Sequence, residues 1–158
     1  MIVLGIDAAY KGGAVLTSEE GLLDYCNWKI TKGSKDNQTR RMEAYLKVEA
    51  MIQRNHEVIG ADIPYAVISS AFFFNNIKTT ILLSRISQHF MTELTNIDFT
   101  CFDMKDAEAR KTLSLPPKKK PAQAMFMAQY DCLGLNEDEV DAYVFAEALR
   151  KELMQNEQ

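Results

Sequence analysis

Cysteine, histidine and long apolar runs are what this sequence has least of, and each shortage closes a route. The three cysteines, Cys26, Cys101 and Cys132, are odd in number and include no C-x-x-C pair, so neither a disulfide framework nor a thiolate zinc site is indicated. His56 and His89 stand alone and read as structural or solvated side chains. No apolar stretch approaches the ~20 residues that cross a bilayer, and no basic segment followed by an apolar one opens the chain. The expectation is a cytoplasmic protein with no membrane partner. Internal repeats and low-complexity tracts are also missing. The net charge is only −4, which argues weakly against a nucleic-acid partner. That acidity is local, however. Residues 136–158 hold seven acids and two bases, whereas the rest of the chain holds fifteen acids and sixteen bases.

What remains is an ordinary soluble composition, 47% apolar and 25% charged, in 158 residues. That length suits one domain over 1–158 with a sizeable core. The opening residues, Met1-Ile2-Val3-Leu4-Gly5-Ile6-Asp7, form an apolar run that stops on a carboxylate. Residues 2–6 do not alternate, so as a strand they are buried on both faces, in the middle of a sheet. A carboxylate at the tip of such a strand is costly to desolvate unless it meets a cation. The plainer reading is that Asp7 begins a turn leading to Gly12-Gly13.

Matching acids at the far end favour chemistry. Asn136 suits an N-cap, and Glu139 three residues on completes a capping-box pattern at the start of the last helix. Asp138 and Asp141 are three apart and share one helix face, near the positive end of the helix dipole. Acids at helix starts are commonly solvated. Here residues 142–146 follow without a charge, so this helix start lies close to the core.

Between these ends, residues 14–17 and 22–30 read as strands that continue an antiparallel meander. Residues 38–54 read as a helix with Met42, Tyr45, Leu46, Met51 and Ile52 on one side. Residues 64–69 form a buried strand ending in Ser69-Ser70, and Phe72-Phe73-Phe74 follow. The helix over about 75–95 carries Ile77, Ile81, Ile86, Phe90 and Leu94, widened by Leu82, Leu83 and Met91 into a broad apolar stripe. A half-buried strand over 97–103, a short helix through Ala107 and Leu113, a loop over 116–121, a helix to about Tyr130 and the last helix complete the chain. The order β-β-β-α-β-α-β-α-α-α gives an α/β fold, a mixed sheet covered by helices.

Gly5-Ile6-Asp7 on the first strand, Asp138-x-x-Asp141-Ala142 on the last helix and the order of elements between them resemble the RNase H-like nucleases. Within that superfamily the chain resembles the RuvC-type Holliday junction resolvases, from Met1 to about Leu149, in the form of a phage-encoded member acting in the host cytoplasm. The resemblance implies a five-stranded mixed sheet and a homodimer formed through the helix at about 75–95. It also implies two Mg²⁺ ions per site, with Mn²⁺ able to substitute, held by Asp7, Asp138 and Asp141, and cleavage of four-way and other branched DNA. Residues 66–73 resemble the fourth strand of that family and the aromatic after it, which points to Phe72 or Phe73 for stacking at the junction centre. Arg110, Lys111, Lys118, Lys119 and Lys120 fall where the family has DNA-contacting lysines. A run of aromatics after a strand is more often core, and a lysine run is usually a solvated loop. The family carries a glutamate at the end of the fourth strand. Here that position is Ser69, or Ser70 if the register slips by one, and a serine hydroxyl is a poor Mg²⁺ ligand. Asp62 and Asp103 are the nearest candidates for a substitute. The family's glycine after the first aspartate is replaced by Ala8-Ala9.

Two divalent ions about 3.5–4 Å apart can activate a water and stabilise the leaving oxygen of a phosphodiester. The leading expectation is therefore a structure-selective endonuclease. A branched-DNA binding protein without efficient cleavage is the alternative, and position 69 separates the two. The G-x-D strand also opens actin-like ATPases, but that arrangement needs two such domains around a nucleotide.

Overall fold

The computed structural model describes residues 1–30, 37–60, 63–70 and 76–156, with backbone alone for 37–40. Five strands form one sheet. They are β1 (Val3–Asp7), β2 (Lys11–Ser18), β3 (Gly21–Lys29), β4 (Tyr65–Ser69) and β5 (Thr100–Met104), in spatial order β3-β2-β1-β4-β5. β1 pairs antiparallel with β2, and β2 with β3, while β1, β4 and β5 run parallel. The non-alternating run of the first strand therefore lies at the centre of the sheet, where both faces are covered.

The helices are α1 (Asn37–Arg54), a single turn α2 (His56–Ile59), α3 (Ile77–Asn96), α4 (Asp106–Thr112), α5 (Lys119–Gln129) and α6 (Glu137–Asn156). Side-chain alternation along the strands splits the core in two. Leu4, Ile6, Leu16 and Ile68 pack with Val48 and Met51 of α1 and with Ile86, Phe90 and Leu94 of α3. Val3, Val15 and Val67 pack on the other face with α4, α5 and α6.

α6 lies directly on β1 and β2, and two glycines permit it. A Cβ on Gly5 would run into the Ala142 carbonyl, and one on Gly13 would sit 2.8 Å from the Asp138 carbonyl carbon and the Glu139 nitrogen. The helix start is held by the expected reciprocal cap. Glu139 N–H donates to the Asn136 side chain at 2.9 Å, and Asn136 N–H donates to the Glu139 carboxylate at 2.7 Å. The other Glu139 oxygen accepts from Asn27 of β3 at 2.6 Å, so this fully buried acid is satisfied. Near the other end of α6, the buried Arg150 guanidinium donates to the Met1 carbonyl and to the Thr17 hydroxyl. These bonds tie the last helix to the first two strands.

Several expectations need correction. On α1 the core side is Ala44, Tyr45, Val48 and Met51, and Met42 and Leu46 are exposed. On α3 only Ile86, Phe90 and Leu94 are buried, while Ile77 and Ile81 are 66% and 46% exposed. Residues 97–99 are the turn out of α3 and not strand, because Asp98 takes φ 67° and Phe99 N–H returns to the Leu94 carbonyl. Lys119 and Lys120 belong to the first turn of α5 and not to a loop. Asp62, Phe72 and Phe73 lie outside the described residues.

Candidate functional site: a carboxylate cluster at one sheet edge

β1, β4 and β5 are parallel, so their carboxyl ends share one edge of the sheet. Ile6 is level with Ile68, which places Asp7 and Ser69 at adjacent strand tips. α6 begins over this edge, because Gly13 pairs with Asp7 and also touches the backbone at 138–139. The cap and the two glycines thus bring Asp138 and Asp141 over the end of β1. The acids from the two ends of the sequence form one electrostatic group. Burial holds the Asp7 carboxyl well above its ordinary range, and the charges of Asp141, Asp106 and Asp138 push it further, with Lys119 pulling it down.

Each acid of α6 has a lysine beside it. Lys119 Nζ lies 2.7 Å from Asp141 Oδ2, and the Gln123 amide donates to Asp141 Oδ1 at 2.8 Å. Burial lowers the Lys119 amine, but its hydrogen bond to Asp141 and the charges of Asp141, Asp7 and Asp138 outweigh it and leave the amine raised. Lys11 Nζ stands 3.8 Å from Asp138 Oδ2, too long for a hydrogen bond. That oxygen is buried and has no hydrogen-bond partner. Burial also raises the Asp138 carboxyl, with Lys11 the leading opposing charge.

Asp106, the first residue of α4, was not singled out by the sequence and belongs to this group. Burial raises its carboxyl, Asp141 adds to the rise, and Arg110 and Lys119 oppose it. Asp106 lines a notch between α4, α5 and α6 with Arg110, Lys119, Gln123 and Asp141. The notch leaves about 10 Å³ free, roughly one water. The signal that could have found Asp106 is the one that found Asp7, an acid just past the end of a buried parallel strand.

Ser69 does not reach into the cluster as an acid would. Its hydroxyl accepts the Ala8 N–H at 2.8 Å, and its carbonyl accepts from the Ser87 hydroxyl at 2.9 Å. It pins β4 to the exit of β1 and to α3. Ser70 donates to Asp103 at 2.9 Å. Asp103 is level with Ile68, whose side chain packs towards α1 and α3. Asp103 therefore belongs to the face away from Asp138 and Asp141, and the geometry excludes it as the substitute acid.

Among the basic residues, Lys111, Lys118, Lys119 and Lys120 are exposed on α4 and at the start of α5. Arg110 is turned inward, donating to the Pro117 carbonyl at 2.8 Å and to Asp106 at 3.4 Å.

Carboxylate oxygens suit hard divalent ions such as Mg²⁺ and Mn²⁺, and the orphaned Asp138 oxygen is a donor awaiting a cation. In this conformation lysine and arginine occupy the acids, and no three acids, histidines or cysteines among the described residues close around one point.

No protein-family model matches the chain, and no curated protein does. Solved structures match over nearly the whole length. A Thermus thermophilus RuvC structure superposes with a TM-score of 0.72 at 14% identity, covering 99% of this chain and 97% of that one. The T. thermophilus RuvC in complex with a Holliday junction substrate gives a TM-score of 0.70 at 14% identity, covering 98% and 96%. The mixed five-stranded sheet, its strand order and its covering helices are thus those of the RNase H-like fold in the form found in RuvC.

Proposed function

We propose that this chain is a divalent-metal-dependent endonuclease acting on branched DNA, four-way junctions above all. The observation that carries the reading is the convergence of Asp7, Asp138 and Asp141 at one sheet edge, with a buried carboxylate oxygen left unpartnered. The fold likeness supports it, and one of the similar structures holds a Holliday junction substrate.

Asp7, Asp138 and Asp141 are the residues that would hold the ions. Bound divalent ions supply an activated water and charge stabilisation for the leaving oxygen. The chain supplies the rest. Asp7 and Asp141 keep negative charge in a partly buried site, where its attraction for cations is strongest. Lys119 stands poised between Asp141 and solvent, and with Lys111, Lys118 and Lys120 offers amines to DNA phosphates. Phosphate contacts of this kind position the DNA. Selectivity for a junction comes from the pairing of two sites, because two opposed nicks need a two-fold dimer. The exposed Ile77 and Ile81 of α3 support that dimer.

The test is cleavage of a labelled synthetic four-way junction in Mg²⁺ or Mn²⁺, with linear duplex as control. Junction-selective cutting by the chain and its loss in Asp7→Asn are expected. Cutting that survives Asp7→Asn overturns the assignment. The second reading, a branched-DNA binder that cleaves poorly, is favoured by one observation: the hydroxyl of Ser69, in place of the expected glutamate, is committed to Ala8. It predicts junction binding without cutting, and a gain of cutting in Ser69→Glu.

A further inference from the structure

We propose that Asp106 is the fourth carboxylate of the site, supplying from the start of α4 the divalent-cation ligand that the tip of β4 does not carry. The inference deepens the nuclease reading and rests on it.

The sheet provides the route. β4 and β5 are parallel neighbours, and Ser69 is level with Met104. The chain passes Met104 and Lys105 and starts α4 at Asp106. Asp106 therefore leaves the same sheet edge as Asp7 and Ser69, one strand further out than the position it would replace. From there it turns back towards α6, where it shares a notch with Asp141, Lys119 and Gln123. Its charge acts on Asp7 more strongly than that of Asp138 does.

Two further features fit. Ser69 holds backbone together at this edge, so its hydroxyl is not free to act as a ligand. Asp138 is 8% exposed, and its Oδ2 is buried without a hydrogen bond. An orphaned buried carboxylate oxygen beside Asp7 and Asp141 calls for a cation rather than another hydrogen bond. The ordinary use of an acid at a helix start, with arginine four residues on, is local helix stabilisation. Asp106 has that partner in Arg110 at 3.4 Å, so the experiment has to separate the two roles.

Mn²⁺ binding to the full chain, without DNA or turnover, is followed by the electron paramagnetic resonance signal of free Mn²⁺. The proteins are the parent chain, Asp7→Asn, Asp106→Asn and the double variant Asp106→Asn/Ser69→Glu. The parent is expected to bind, and Asp106→Asn to weaken binding by about tenfold or more. The double variant is expected to recover most of the loss, because a glutamate on β4 restores an acid to the site while doing nothing for α4. Unchanged affinity in Asp106→Asn beside a loss in Asp7→Asn overturns the assignment of Asp106 and leaves the nuclease reading standing. A loss that Ser69→Glu does not recover assigns Asp106 to holding α4 in place and also overturns it. A parent chain that takes up no Mn²⁺ overturns both readings.

Discussion

Asp7 is buried among three other carboxylates, and in the absence of a cation that arrangement works against folding. Its folded-state pKa lies above the model value of 3.8, so the native state holds the proton more tightly than the unfolded chain. Stability then falls as the pH rises from about that value through the raised one. Asp7→Asn removes the buried charge. Its metal-free melting temperature at pH 7 is expected to exceed the parent's by at least about 2 °C. The gap should close below about pH 4, where the parent carboxyl is also neutral. Calorimetry across that range checks both parts. The same substitution is expected to abolish junction cutting, an exchange of stability for function common at strained sites. Lys119 works in the opposite sense, since its amine neutralises Asp141 at 2.7 Å. Lys119→Met should tighten Mn²⁺ binding several-fold in the absence of DNA and weaken junction binding, measured by titration and by fluorescence anisotropy. Unchanged Mn²⁺ affinity would show that the amine does not compete with the ion.

At the scale of elements, the site depends on how closely α6 rests on β1. Gly5→Ala places a methyl against the Ala142 carbonyl. Overpacking of this kind costs about 1–3 kcal/mol, which urea denaturation should show as a lower midpoint with little change in slope. β1 and α6 were legible because their signals are local. An apolar run without alternation marks a central strand, and an N-cap with its partner three residues on marks a helix start. The positions of Asp7, Asp138 and Asp141 followed from those two elements. Asp106 was not legible, because its neighbours depend on β5 lying beside β4 in a given register, and nothing near it in sequence records that. Met42 and Leu46 were misplaced because several apolar residues on α1 satisfy a helical period, and only the packed sheet decides which stripe turns inward. The commitment of Ser69 to Ala8 was invisible for the same reason: its partner is 61 residues away.

For the whole molecule, the dimer expectation rests on α3, whose exposed Ile77 and Ile81 continue the line of its buried residues. The double variant Ile77→Glu/Ile81→Glu should sediment as a monomer under conditions where the parent sediments as a dimer. It should also make single nicks in place of paired ones. A parent chain that is monomeric at all concentrations would remove α3 from the interface. One further property follows from the way α6 is fastened to β1 and β2 by its glycine contacts and by Arg150. The two halves of the carboxylate cluster sit at opposite ends of the sequence, and closing so long a loop is slow compared with forming local contacts. On a ribosome, β1 emerges early and waits, since nothing in the first half of the chain can complete its site. The polypeptide is therefore inert as a nuclease throughout most of its own synthesis. It acquires the capacity to cut DNA only when the helix carrying Asp138 and Asp141 docks, late in folding.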